Sequence, residues 1–246
     1  MRFVTLAERP DLVPAMWQMG NNWPTFMQQD RVGRDAFGQL PAVFPEWQQL
    51  LLDDDRIVGR VNAIPFSWVG TDDDLPDDGW AGVIQRGFAA RREGVPPTAI
   101  SLLEARLVPA LLGAGHARTM LEEMGSRVIA AGMRDLFGPV RPTGKHREPH
   151  RAMDDYARAT RADGLPVDPW LRSHVRMGGR IVKVAPTSMA IAGSLSEWRD
   201  WTGLAFDASG PTVVPFACNP IHVDLEQDHA VYVEPNVWVH HDLRGR

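Results

Sequence analysis

The chain has 246 residues, 44% hydrophobic and 23% charged, with one cysteine and a formal net charge of −5. This is the composition of one large globular domain or two small ones; the acidic balance argues against a general nucleic-acid coat, and the lone Cys218 excludes an internal disulfide framework or a cysteine-based zinc site. No apolar run reaches membrane length and no basic, apolar leader opens the chain, so a cytoplasmic location is expected.

Residues 2–6 (RFVTL) read as a first strand. Arg9-Pro10-Asp11 opens a helix carrying Leu12, Val13, Met16, Trp17 and Met19, which Gly20-Asn21-Asn22 ends. Residues 34–52 are broken by Pro41 and Pro45 into helical pieces, the later one spanning 45–52 with its proline at a favoured first position. Asp53-Asp54-Asp55 is a solvated turn. Residues 56–69 (RIVGRVNAIPFSWV) predict a strand with a bulge or edge at Pro65. The acidic loop 70–79 (GTDDDLPDDG) is a solvated hairpin tip or the edge of a lid. Residues 79–88 are expected to be its partner strand, and 98–108 the strand after that.

This last strand runs through Pro109 into the turn Gly113-Ala114-Gly115. Beyond it Ala117, Leu121, Met124, Val128 and Ala131 recur at helical spacing, and Gly132 closes the helix. The first turn of a helix carries unpartnered N–H groups and the positive end of the dipole, and glycines let an anion approach the backbone. The arrangement suits a phosphate or pyrophosphate, to which His116 and Arg118 can add donors or charge; a plain packing turn is the alternative. A dinucleotide fingerprint fails because Arg118 stands where a small residue is required. A P-loop fails because residues 138–145 carry one residue too many before their Gly-Lys, and His146 follows where Ser or Thr should be.

Residues 110–115 (ALLGAG) match the glycines of a third pattern, [RQ]xxGxG/A, with Ala110 at the basic or amide position. On that motif and its strand-Pro-turn-helix setting, the chain resembles the GNAT superfamily of N-acyltransferases. The motif match covers residues 107–120, and the order of elements extends the resemblance over about 56–192. It implies an α/β fold with a mixed sheet. It implies one domain over 1–246, with a core at about 56–192 and an extension from 193 that acts as a lid or widens the sheet. It also implies acetyl-CoA or another acyl-CoA as co-substrate. Leu107 and Val108 at the strand end and Leu112, Gly113, Ala114, Gly115, His116, Ala117 and Arg118 in the turn would hold it.

Residues 135–140 read as the next strand, parallel to its predecessor and, in the resembled fold, splayed from it to admit the thioester. The loop 141–147 (RPTGKHR) is either an anion contact or a solvated basic turn. Helices are predicted at 149–162 and at 170–177, the latter ended by Gly178-Gly179, and a strand or strand pair at 180–192, broken near Pro186. Ser194 with Glu197 forms a capping box. Residues 221–225 and 230–233 read as a hairpin, interrupted by Pro235 before a closing segment at 237–239.

The resemblance places a base for the attacking amine at Glu104 on the fourth strand and an acid for the leaving thiolate at Tyr156. A strand N–H freed by the splay would receive the developing oxyanion. Glu104 can instead face solvent or pair with Arg106, and Tyr156 can be a packing residue. His146, His150 and His174 are other candidate bases with no metal-binding pattern, and Cys218 reads as buried. The expected partner is a small-molecule amine. Two alternatives keep the fold: transfer from aminoacyl-tRNA, with the basic loop and Arg151, Arg158 and Arg161 on phosphates, or a domain that binds acyl-CoA without turnover.

Overall fold

The structure, a computed structural model, describes residues 1–245. A short strand β1 (Arg2–Thr5) leads through a 3-10 turn into helix α1 (Val13–Gln18), and then two short helices, α2 (Arg31–Asp35) and α3 (Leu40–Val43), cross to β2 (Gln48–Asp53). Strand β3 (Arg56–Phe66), helix α4 (Gly79–Glu93) and strand β4 (Ala99–Leu107) come next. The second part holds α5 (His116–Ala130), β5 (Asp135–Val140), α6 (Met153–Ala157), α7 (Pro169–Arg176), β6 (Arg180–Ser194), α8 (Leu195–Thr202), β7 (Gly210–Thr212), β8 (Ile221–Asp224) and β9 (His229–Asp242). The strands form one mixed sheet in the order β1-β2-β3-β4-β5-β9-β8-β7, with β6 paired to β9.

Among the described residues only β4 and β5 pair parallel in this sheet, with helix α5 as the crossover between them. The last part of the chain is no appendage. Strand β9 joins β6 along one edge, and along the other it joins β8 and then β5. Strands β7, β8 and β9 of this segment thus widen the sheet.

Four expectations change. Residues 45–52 are a 3-10 turn, Pro45–Trp47, followed by β2 rather than a helix. Gln and Leu favour helix, but β2 is hydrogen-bonded on both edges and buried from Gln48 to Leu52, and pairing overrides propensity. Residues 79–88 are the start of helix α4, not a strand. Its core residues Trp80, Val83, Ile84 and Gly87 have helical spacing, and Gly87 is there because a Cβ would lie 2.5 Å from the Ile64 side chain and 2.7 Å from the Pro65 carbonyl. The helix at 149–162 shrinks to α6. Pro186 and Pro235 interrupt nothing, because both fall at the register shift between Ala185 and Met189 on the β6–β9 ladder, where a missing N–H costs little.

Candidate active site

The site begins with one extra residue. Asn62 pairs with Glu104 and Ala63 with Leu102, so Leu103 has no partner on β3 and forms a bulge. A bulge bends its strand. Accordingly β4 pairs with β5 only at Ile100↔Leu136 and Ser101↔Phe137, then turns away. The Trp80 indole N–H donates to the Leu103 carbonyl at 3.0 Å and holds the bend. The β5-facing edge of residues 102–107 is left without a strand partner, and a cavity of about 380 Å³ occupies the gap.

Beyond β4 the glycine turn is open. Gly113 and Gly115 have φ of +81° and +86°, and residues 112–115 are exposed. No side chain caps α5, and the amides of residues 113–118 have no acceptor among the described residues. The helix start therefore presents free amides and the positive end of a fifteen-residue helix, the chemistry that suits an anion. Leu112, Ala117 and Leu107 line the cavity beside it. Val108 is tied to β3 through its N–H to the Val58 carbonyl at 2.9 Å. Arg118 is turned to Glu122 at 2.7 Å, one turn along the exposed face, and His116 is half-buried at the cap.

The cavity passes through the sheet and has two distinct walls. On one side stand Met120 and Leu121 of α5 with Trp170 and His174 of α7. On the other stand Trp23, Trp80, Glu104, Arg106, Glu234 and Asn236. The alternation of β5 separates them: Val140 packs on α6 and α7, while Arg141 reaches Glu234 at 2.5 Å.

Glu104 faces the second wall, but its surroundings are not apolar and its partner is not Arg106. Arg60 grips it with two bonds, of 2.6 and 3.0 Å, and both side chains are almost fully buried. Arg60 is fixed in turn by the Met16 carbonyl at 2.8 Å and by the Trp17 ring. Arg106 instead holds the 19–22 loop, donating to Asn22 and to the Met19 carbonyl. Glu234, fully buried, accepts from Arg141, from the Tyr232 hydroxyl at 2.5 Å and weakly from Asn236.

Tyr156 is on α6 after the fifth strand, as expected, yet it is absent from the cavity walls. Its hydroxyl donates to Asp168 at 3.0 Å, and burial, then the Asp168 charge, pushes its pKa well up. Asp168 also caps α7 and accepts from the Gly144 N–H at 2.7 Å. His146 and His150 are outside the cavity too. His174 lines it, with Nδ1 2.9 Å from Nε2 of His241; burial first, and His241 next, lower its pKa to about 3. Cys218 is buried, as the sequence suggested. Two cations of the basic loop turn inward while Arg147 stays exposed: Arg141 is spent on Glu234 and the Phe216 carbonyl, and Lys145 is sealed against the carbonyls of Cys218 and Glu148. Neither offers its charge to a phosphate backbone.

Trp80 and Glu234 were not singled out from sequence as site residues, and Arg141 was read only as part of the basic loop 141–147. The signal for Trp80 was the helical spacing it shares with Val83, Ile84 and Gly87; Glu234 gave none, because its place depends on which strand β9 joins.

A splayed strand pair leading to an uncapped helix start defines an acyltransferase that draws its acyl group from a pyrophosphate-bearing thioester. No family model matches the chain. It is 31% identical, over 273 aligned positions covering 97% of this chain and 93% of its relative, to the arginine N-acetyltransferase avaD of Aspergillus versicolor. Two solved structures share its fold at 18% identity and over essentially their whole lengths: the loading GNATL domain of CurA from Lyngbya majuscula, with a TM-score of 0.64, and the GphF GNAT-like decarboxylase in complex with isobutyryl-CoA, with a TM-score of 0.59. The chain belongs to the GNAT superfamily, and it is an N-acyltransferase that uses acyl-CoA to acylate an amine. Among the described residues no helix is long and apolar enough to cross a membrane.

Proposed function

We propose that the donor is acetyl-CoA and the acceptor is arginine or a close analogue bearing both a carboxylate and a guanidinium. The relationship to an arginine N-acetyltransferase along nearly the full length of both chains carries this reading. The acceptor wall supports it. Arg106 lines the cavity and brings positive charge to it, suiting a carboxylate, and Trp23 packs edge-on to Trp80 at 5.5 Å, offering ring surface to a planar cation.

In this reading the diphosphate of the donor rests on the amides past Leu112, and the pantetheine arm follows the free edge of β4 into the gap. Backbone N–H groups around the Leu103 bulge take the carbonyl oxygen as it gains charge. The attacking nitrogen forms the C–N bond, the C–S bond breaks, and the electron pair leaves on sulfur. The nitrogen's surplus proton passes to Glu104. The nitrogen becomes strongly acidic once bonded to the carbonyl carbon, so a late transfer to the carboxylate suffices.

A panel of L-arginine, agmatine, L-lysine and L-ornithine, with thiol release from acetyl-CoA as readout, tests the acceptor. Arginine should exceed lysine in kcat/KM by at least about tenfold, since a site built for a guanidinium's donors leaves partners unpaired with an ammonium. Equal rates with lysine, or none with arginine, would overturn the assignment. Tyr156 is assigned to shaping the 143–145 loop through Asp168. Tyr156→Phe should cost about 1 kcal/mol, read as a melting temperature lower by about 2–4 °C, and leave kcat within about threefold. A hundredfold fall in kcat would restore it to proton transfer.

A further inference from the structure

His174 is the one titratable group on the donor wall, and the reaction as described leaves it without a task. It sits on α7 behind the β4–β5 gap, 2% exposed, with the Trp170 ring edge-on at 4.7 Å. Nδ1 is committed to His241 on β9 at 2.9 Å. Nε2 has no hydrogen-bond partner among the described residues, and the ring forms part of the cavity wall.

We infer that His174 is a catalytic residue of the acyl transfer, a neutral imidazole whose Nε2–H donates a hydrogen bond to the departing sulfur of coenzyme A. The inference rests on an acyl-CoA threading the gap; it does not depend on arginine as acceptor. With the carbonyl oxygen turned to the β4 backbone and the amine arriving from the wall of Trp23, Trp80 and Glu104, the sulfur is the reacting atom left facing α7. As the C–S bond breaks, the electron pair becomes a thiolate, which a fixed donor on the wall of the gap stabilises.

Burial keeps the ring uncharged in the physiological range, so the proton is shared with sulfur and stays on nitrogen. A neutral imidazole has one N–H. The negative charge that develops on sulfur selects the tautomer with the proton on Nε2, and the His241 contact accommodates it, because Nε2–H of His241 then donates to the bare Nδ1. The pair orients the ring and supplies the tautomer without adding a charge to the pocket.

The test compares the affinities of CoA and desulfo-CoA at pH 9 for the wild type, His174→Leu and His174→Gln, and needs no acceptor. The wild type should prefer CoA by about tenfold, the worth of one hydrogen bond to a charged group. His174→Leu should lose that preference while binding desulfo-CoA within about twofold of wild type, and His174→Gln, which keeps an N–H donor, should recover part of it. If His174→Leu does not fold, His174→Gln alone decides, by a reduced but present preference. A preference untouched in both variants, one missing from the wild type, or equal losses for both ligands would overturn the inference, the last by making His174 a packing residue. A wild type that binds neither ligand would overturn the donor site itself.

Discussion

Replacing Glu104 by alanine should unfold the protein more readily than any other single change in the cleft, whereas glutamine should spare the fold and remove the activity. Arg60 is 2% exposed and has two bonds to Glu104, one to the Met16 carbonyl and a ring contact with Trp17. Alanine leaves a buried guanidinium with most of its charge uncompensated, a loss of about 3–5 kcal/mol. For a chain of this size that corresponds to a melting temperature lower by roughly 10 °C. Glutamine keeps the shape and one acceptor oxygen for Arg60 but cannot take a proton. With it the melting temperature should fall by only a few degrees and kcat by about 10²–10⁴-fold, while acetyl-CoA still raises the melting temperature as a ligand of the native state must. If Glu104→Gln keeps kcat within a few-fold of wild type, the carboxylate is only a strut for Arg60, and the proton leaves by another route.

Valine at Gly115 should raise the KM for acetyl-CoA by at least about tenfold, and valine at Gly132 should not. The two glycines sit at opposite ends of α5 with φ of +86° and +84°, and a Cβ added at either meets nothing within 4 Å. Both substitutions force a branched side chain into the left-handed region and cost about 1–2 kcal/mol each, so their stabilities should fall together. Only Gly115 sets the direction of the free amides at the helix start. The matched pair thus separates backbone strain from loss of the anion cradle, measured as acetyl-CoA KM beside melting temperature. Equal KM values in the two variants would mean that no diphosphate rests on this turn.

Much of the donor half was legible in the chain because it is local. A strand, a proline, two glycines and an amphipathic helix occupy consecutive residues from 99 to 130, and their chemistry follows from backbone geometry alone. Ser194 with Glu197 was readable for the same reason: the two groups of a capping box are three residues apart. Helix α4 was misread although its period was visible, because three glycines, Gly79, Gly82 and Gly87, mask helical propensity when the tight contacts that demand them are unseen.

The sequence by itself pointed to the class of protein through a resemblance: short-range rules make the turn and helix start at residues 109–118 fit for an anion but equally for a packing turn, and the glycine motif in its strand-Pro-turn-helix setting supplied the family. Tertiary structure alone decided the acceptor half and the partners of its charges. Arg60 meets Glu104 across 44 residues and Arg141 meets Glu234 across 93, and each pairing depends on sheet register. The same holds for Tyr156 turning away to Asp168 and for His174 facing the gap. Whether a polar side chain lines a cleft or braces the fold is set by which strand lies beside it, and that is information a linear pattern does not contain.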